Sequence, residues 1–104
     1  MSDLRTDESA MSIAVLRILA DSPNGEATTK QIKIRISKEV DLTPADQKQS
    51  DTRVNEEVWE QIVRNIVSHQ TIAGNIIAEG FANIPSRGKL RITAAGRLHV
   101  QHNL

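Results

Sequence analysis

Two stretches decide the fold of this chain: Val58-Trp59-Glu60-Gln61-Ile62-Val63-Arg64-Asn65-Ile66-Val67 and Pro85-Ser86-Arg87-Gly88-Lys89-Leu90-Arg91-Ile92-Thr93. In the first, apolar residues return as pairs at 58-59, 62-63 and 66-67, which is the helical period. The spacing predicts a helix over 56–68 that is apolar over half its circumference. Glu57, Glu60, Gln61, Arg64, Asn65 and Ser68 fill the other half. In the second, a turn at Pro85-Ser86-Arg87-Gly88 precedes strict alternation, with Leu90 and Ile92 turned inward and Lys89 and Arg91 outward. Between them, a glycine-marked turn at 73–75 and one helical turn at 76–79 lead to Gly80, a residue suited to a left-handed cap. The expected core joins Trp59, Ile62 and Ile66 to Leu90 and Ile92.

Working outward from this centre, Thr93-Ala94-Ala95-Gly96 opens a last helix carrying Leu98 and Val100. On the other side, residues 41–55 read as a helical turn, started by Thr43 and Pro44, followed by an exposed loop. A helix from Lys30 to about Val40, capped by Thr28 or Thr29, places Ile32, Ile36 and Val40 on its inward stripe. Its opposite arc carries Lys30, Arg35 and Lys38, as a solvated face or as one that touches a polyanion. The first helix starts near Thr6-Asp7-Glu8 and stops at Ser22-Pro23-Asn24-Gly25, after a loose tail at residues 1–5. Between Met11 and Ala20 its only polar residues are Ser12 and Arg17. Such a helix is either central to the fold or also meets a second subunit, and a homodimer through it is the expectation.

A chain of 104 residues has room for a single domain, 1–104, and one core. Trp59 and Phe81 are the only aromatic residues, so Ile, Val, Leu and Ala must build that core. The absence of cysteine excludes disulfides, thiol catalysis and cysteine-based zinc sites. No apolar run reaches the length of a membrane span, and the polar start is unlike a signal peptide, so a cytoplasmic protein without a membrane partner is expected.

Formal charge is zero, but its distribution is uneven. Residues 1–57 hold 8 Lys and Arg against 11 Asp and Glu, a balance of −3, and residues 58–104 hold 5 against 2, a balance of +3. From Phe81 onward there are four cations and no acid. A net-neutral chain can present a basic face when its charges are segregated in this way.

The fold class that follows is mainly α with a small β-hairpin. Its element order is that of a winged helix-turn-helix domain. Trp59, the strand start at Gly80-Phe81, and Ser86-Arg87-Gly88-Lys89 leading to Ile92-Thr93-Ala94-Ala95-Gly96 resemble the N-terminal domain of Mrr-type restriction endonucleases and related small bacterial winged-helix proteins. The resemblance is sharp over residues 56–97. It implies that the third helix reads the major groove and the wing touches the flanking backbone or minor groove. By position, that puts Gln61, Arg64, Asn65 and Ser68 on the reading face and Arg87, Lys89 and Arg91 on the wing. Glu56, Glu57 and Glu60 depart from the pattern, because acids there repel phosphates. No nuclease domain accompanies these elements, so no cleavage chemistry is carried over.

The residues give little support to catalysis. His99 and His102 are three apart, but no acidic residue lies near them in sequence, so no metal site is expected. No phosphate-binding glycine loop occurs, and Ser68 beside His69 is not a nucleophile arrangement. The reading is therefore a non-enzyme without cofactor or small-molecule ligand. Its expected partner is double-stranded DNA bound sequence-selectively, as by a small bacterial or phage transcriptional regulator. The alternative is a winged-helix adaptor that binds protein and not DNA, since fold alone does not decide function.

Overall fold

The computed structural model describes residues 7–49 and 56–102. The tail expected over 1–5 and the 50–55 part of the expected loop lie outside the described residues. Helices α1 (Glu8–Ala20), α2 (Thr29–Glu39), α3 (Val58–Ser68) and α4 (Ala94–His102) accompany strands β1 (Glu26–Thr28), β2 (Ala82–Ser86) and β3 (Lys89–Ile92). The strands form one antiparallel sheet in the order β1-β3-β2. Among the described residues, four helices with a small three-stranded antiparallel sheet in this order are compatible with a winged-helix layout.

Local chemistry sets the helix ends. Asp7 caps α1 by accepting from the Ala10 amide at 2.8 Å. Thr28 caps α2 by a reciprocal box, its hydroxyl accepting from the Gln31 amide while the Gln31 side chain accepts from the Thr28 amide. Between α1 and β1 the chain reverses through a 3-10 turn, Pro23–Gly25, in which Asn24 and Gly25 both have positive φ. A Cβ on Gly25 would lie 2.9 Å from the Ile92 side chain, so the turn needs glycine for both conformation and space.

The core is the expected one, enlarged. Trp59, Ile62, Ile66, Leu90 and Ile92 belong to a single buried cluster with Met11, Val15, Leu16 and Leu19 of α1 and Ile32 and Ile36 of α2. Val40 packs only at its margin. Helix α1 touches α2, α3, α4, β1 and β3, and this chain itself covers most of its apolar residues. The apolar surplus that suggested a second subunit is thus satisfied within one chain, because α1 is a central strut and not a surface helix. In the last helix Val100 is buried as well, whereas Leu98 is exposed.

Two regions add to the expectation. Strand β1 was not foreseen; it adds to the free edge of β3 with Ala27 opposite Leu90. The helix start at Thr43 closes as a single turn, in which Thr43 and Asp46 exchange backbone-to-side-chain hydrogen bonds. This turn is functional in folding terms: the Asp46 carbonyl accepts from the Trp59 amide and the Lys48 carbonyl from the Val58 amide, satisfying donors at the start of α3.

At the far end of α3, Asn75 is buried and donates to the Ile66 carbonyl at 2.8 Å, while its Oδ1 accepts from the Ile77 and Ala78 amides. One side chain thereby fixes the link from α3 to the hairpin. Thr93 does the same after the hairpin, its hydroxyl donating to the Gly80 carbonyl and accepting from the Gly96 amide. Gly96 lets α4 approach closely, since a Cβ there would stand 2.0 Å from the Phe81 carbonyl oxygen. These contacts are the physical content of the Thr93 to Gly96 motif. Among the described residues no helix is long and apolar enough to cross a membrane.

Candidate nucleic-acid interface

Strand β3 alternates as its sequence dictates, burying Leu90 and Ile92 and leaving Arg91 exposed and Lys89 half-buried. The β2–β3 turn is two residues long, with Ser86 paired to Lys89 and Gly88 at φ +77°. Gly88 is required there because L-residues avoid that region. Arg87 stands exposed beside it, with no ion-pair partner among the described residues.

The other two hairpin cations are not free. Glu26 lies opposite Arg91 in the β1–β3 register, and its carboxylate accepts from Arg91 Nε at 2.8 Å and from Lys89 Nζ at 3.3 Å. Arg91, then Lys89, hold the Glu26 carboxyl below its ordinary pKa by these hydrogen bonds. The segment after Phe81 has no acid of its own, but an acid arrives from β1. The sequence could not reveal this, because the partners are 65 residues apart.

The α3 residues expected to read DNA divide between two edges. Gln61 and Asn65 are half-buried and border a groove with Asp7 and Glu8 at the start of α1. Arg64 and Ser68 are exposed and border a second groove, of about 250 Å³, with Thr29 and Lys33 of α2. Ser68 spends its hydroxyl on the Arg64 carbonyl at 3.3 Å. Arg64 is engaged by Glu56, a buried acid just before α3: Nε meets Oε1 at 3.3 Å and Nη2 meets Oε2 at 2.5 Å. That carboxylate raises the pKa of the guanidinium, keeping it charged. Lys33 approaches Glu56 at 3.7 Å and Glu60 at 3.9 Å.

Thr29 joins these pieces. Its amide donates to the Gly88 carbonyl at the hairpin tip, 3.0 Å away, and the residue also lines the groove shared by Lys33, Arg64 and Ser68. The hairpin tip at Gly88, with the exposed Arg87 next to it in sequence, is therefore joined through Thr29 to Lys33 and Arg64, and the exposed Lys30 follows Thr29 in α2. Glu26, the partner of Lys89 and Arg91, borders a different groove, with Gln31, Ile34 and Arg35 on the other flank of α2. Thr29 and Lys33 were missed by the sequence reading, although their spacing of four puts them on one helix face. Arg35 leaves the set of candidates, since Glu39 and Asp21 pair with it.

A separate groove, of about 490 Å³, lies between the start of α1, residues 72–76 and α4. Phe81 and His99 stack in its wall with ring centroids 4.2 Å apart. Ile72, at its rim, is 54% exposed.

Comparison with known protein families, with curated proteins and with solved structures finds no match to this chain.

Proposed function

We propose that this chain is a winged helix-turn-helix domain that binds duplex DNA sequence-selectively, with α3 as reader and the wing as anchor, in the manner of a small transcriptional regulator. The observation that supports this reading most strongly is the continuity through Thr29, which joins the wing tip to the first turn of α2 and to the edge of α3 where Lys33 and Arg64 share one groove. Phosphate contacts by such cations supply affinity and release counterions, whereas base contacts supply selectivity. The acids on this surface lower non-specific attraction, which suits a regulator better than a protein that coats DNA.

Arg87 and Lys30 then carry most of the phosphate anchoring, because Glu26 already satisfies Lys89 and Arg91. The test is binding to an unrelated duplex over a series of salt concentrations, followed by fluorescence anisotropy. Arg87→Ala should weaken binding to all sequences alike and make the salt slope shallower by about one. Lys89→Ala should change it less. A wild-type protein with no salt-dependent retention refutes the reading. In that case the exposed Ile72 and Leu98 favour the protein-adaptor alternative.

A further inference from the structure

We infer that Glu56 is a positioning residue for base recognition: it braces Arg64 by one edge of the guanidinium and so presents the opposite edge to a guanine. The inference rests on the DNA-binding reading above and adds which base is read and what orients the reader. A guanidinium has five N–H donors in a rigid planar fork. Glu56 takes one edge, since its two oxygens receive Nε and Nη2. Both hydrogens of Nη1 and the second hydrogen of Nη2 stay on the outer edge, and no partner for Nη1 is present among the described residues. Two adjacent N–H donors match the O6 and N7 acceptors of guanine in the major groove, whereas adenine offers a donor in place of O6.

Burial gives the pair its direction. The Glu56 side chain is 8% exposed and that of Arg64 is 41% exposed, so the carboxylate forms the floor and the guanidinium faces outward. The floor is well anchored. Residues 57–59 are tied down by the Val58 and Trp59 amides on the 46–48 turn, and the Trp59 indole donates to Glu57 at 2.9 Å. Lys33 adds a second cation on Glu56, which keeps the buried carboxylate compensated. A long side chain held this way has lost its rotamer freedom before DNA arrives, so less entropy is lost on reading a base. The acids before α3, a departure from the resembled pattern, thereby acquire a use.

The experiment selects a randomised duplex library on the wild-type protein, then measures binding to single-substitution duplexes for wild type, Glu56→Gln, Arg64→Lys and the double variant. Thermal melts verify folding. The wild type should enrich guanine at one position. Glu56→Gln should bind non-cognate duplexes at least as tightly, having lost a negative charge, while its guanine preference falls about tenfold. Arg64→Lys keeps the charge but lacks the fork and should lose the same preference. In that background Glu56→Gln should add nothing, because a brace without its reader has no effect on base choice. A purely structural Glu56 would weaken all sequences alike. If Glu56→Gln folds and keeps the guanine preference, the brace is refuted and DNA binding stands. Should Glu56→Gln fail to fold, Glu56→Asp, which keeps the charge but withdraws the carboxylate by one methylene, decides: loss of the guanine preference upholds the brace and its retention refutes it. Failure of the wild type to retain any duplex at low salt overturns the DNA-binding reading and the brace with it.

Discussion

Replacing Gly96 by Ala should destabilise the protein, although alanine is the better helix former. In an unobstructed helix the exchange gains up to about 1 kcal/mol. Here the new methyl would sit 2.0 Å from the Phe81 carbonyl oxygen and 2.7 Å from Ile92 Cγ1, where ordinary contacts begin at 3.4 Å. The obstacle is backbone, so it cannot rotate aside; α4 must move outward by about 1 Å or more, a strain of the kind that costs roughly 1–3 kcal/mol in packed cores. That movement also pulls on the Thr93 amide bond to Phe81 and the Thr93 hydroxyl bond to Gly80, each worth about 1 kcal/mol. The net loss is about 2–4 kcal/mol, which for a domain of this size lowers the melting temperature by roughly 10–25 °C. Urea and thermal unfolding followed by circular dichroism measure it. Ala95→Gly, at an exposed position in the same turn, is the control and should cost only about 1 kcal/mol. A Gly96→Ala protein as stable as the wild type would mean that α4 does not rest on the Phe81 backbone.

Asn75→Ala should cost about 2–3 kcal/mol with an unchanged urea m-value, since it removes the donor to the Ile66 carbonyl and leaves that buried acceptor unpaired; a loss below about 0.5 kcal/mol would contradict the accounting. The Glu26 carboxyl is held below its ordinary value of 4.5. Its pairing therefore contributes stability fully present above 4.5 and lost as pH falls through the lowered value. Wild type and Glu26→Gln should thus differ in melting temperature at neutral pH and converge in acid, and a constant difference across that range would show that the Arg91 and Lys89 pairing contributes nothing.

Much of this architecture is legible because it is local. The apolar pairs of α3, the alternation of Lys89 to Ile92 and the break at Pro23 depend on residues within a few positions of each other, and each element formed where its period predicted. Trp59 could be assigned to the core for the same reason. Strand β1 carried no such signal. Three residues, Glu26, Ala27 and Thr28, allow one alternation only, and two of them disfavour strands; they are extended because β3 offers an unpaired edge.

The sequence by itself determined which segments are helix, turn and hairpin, and which side of each is apolar, since periodicity and capping act over one or two turns of chain. The tertiary structure alone decided the electrostatics. Glu26 reaches Arg91 across 65 residues, and Glu56 folds under Arg64 from outside its helix. Composition gave hairpin cations without an acid nearby, and strand pairing supplied the acid. Likewise α1, apolar on nearly every side, left open in sequence whether it is central to the fold, and the packing of α2, α3, α4 and the sheet against it makes it so. Coulomb interactions and burial depend on distance in space, and that distance is set only when the elements pack.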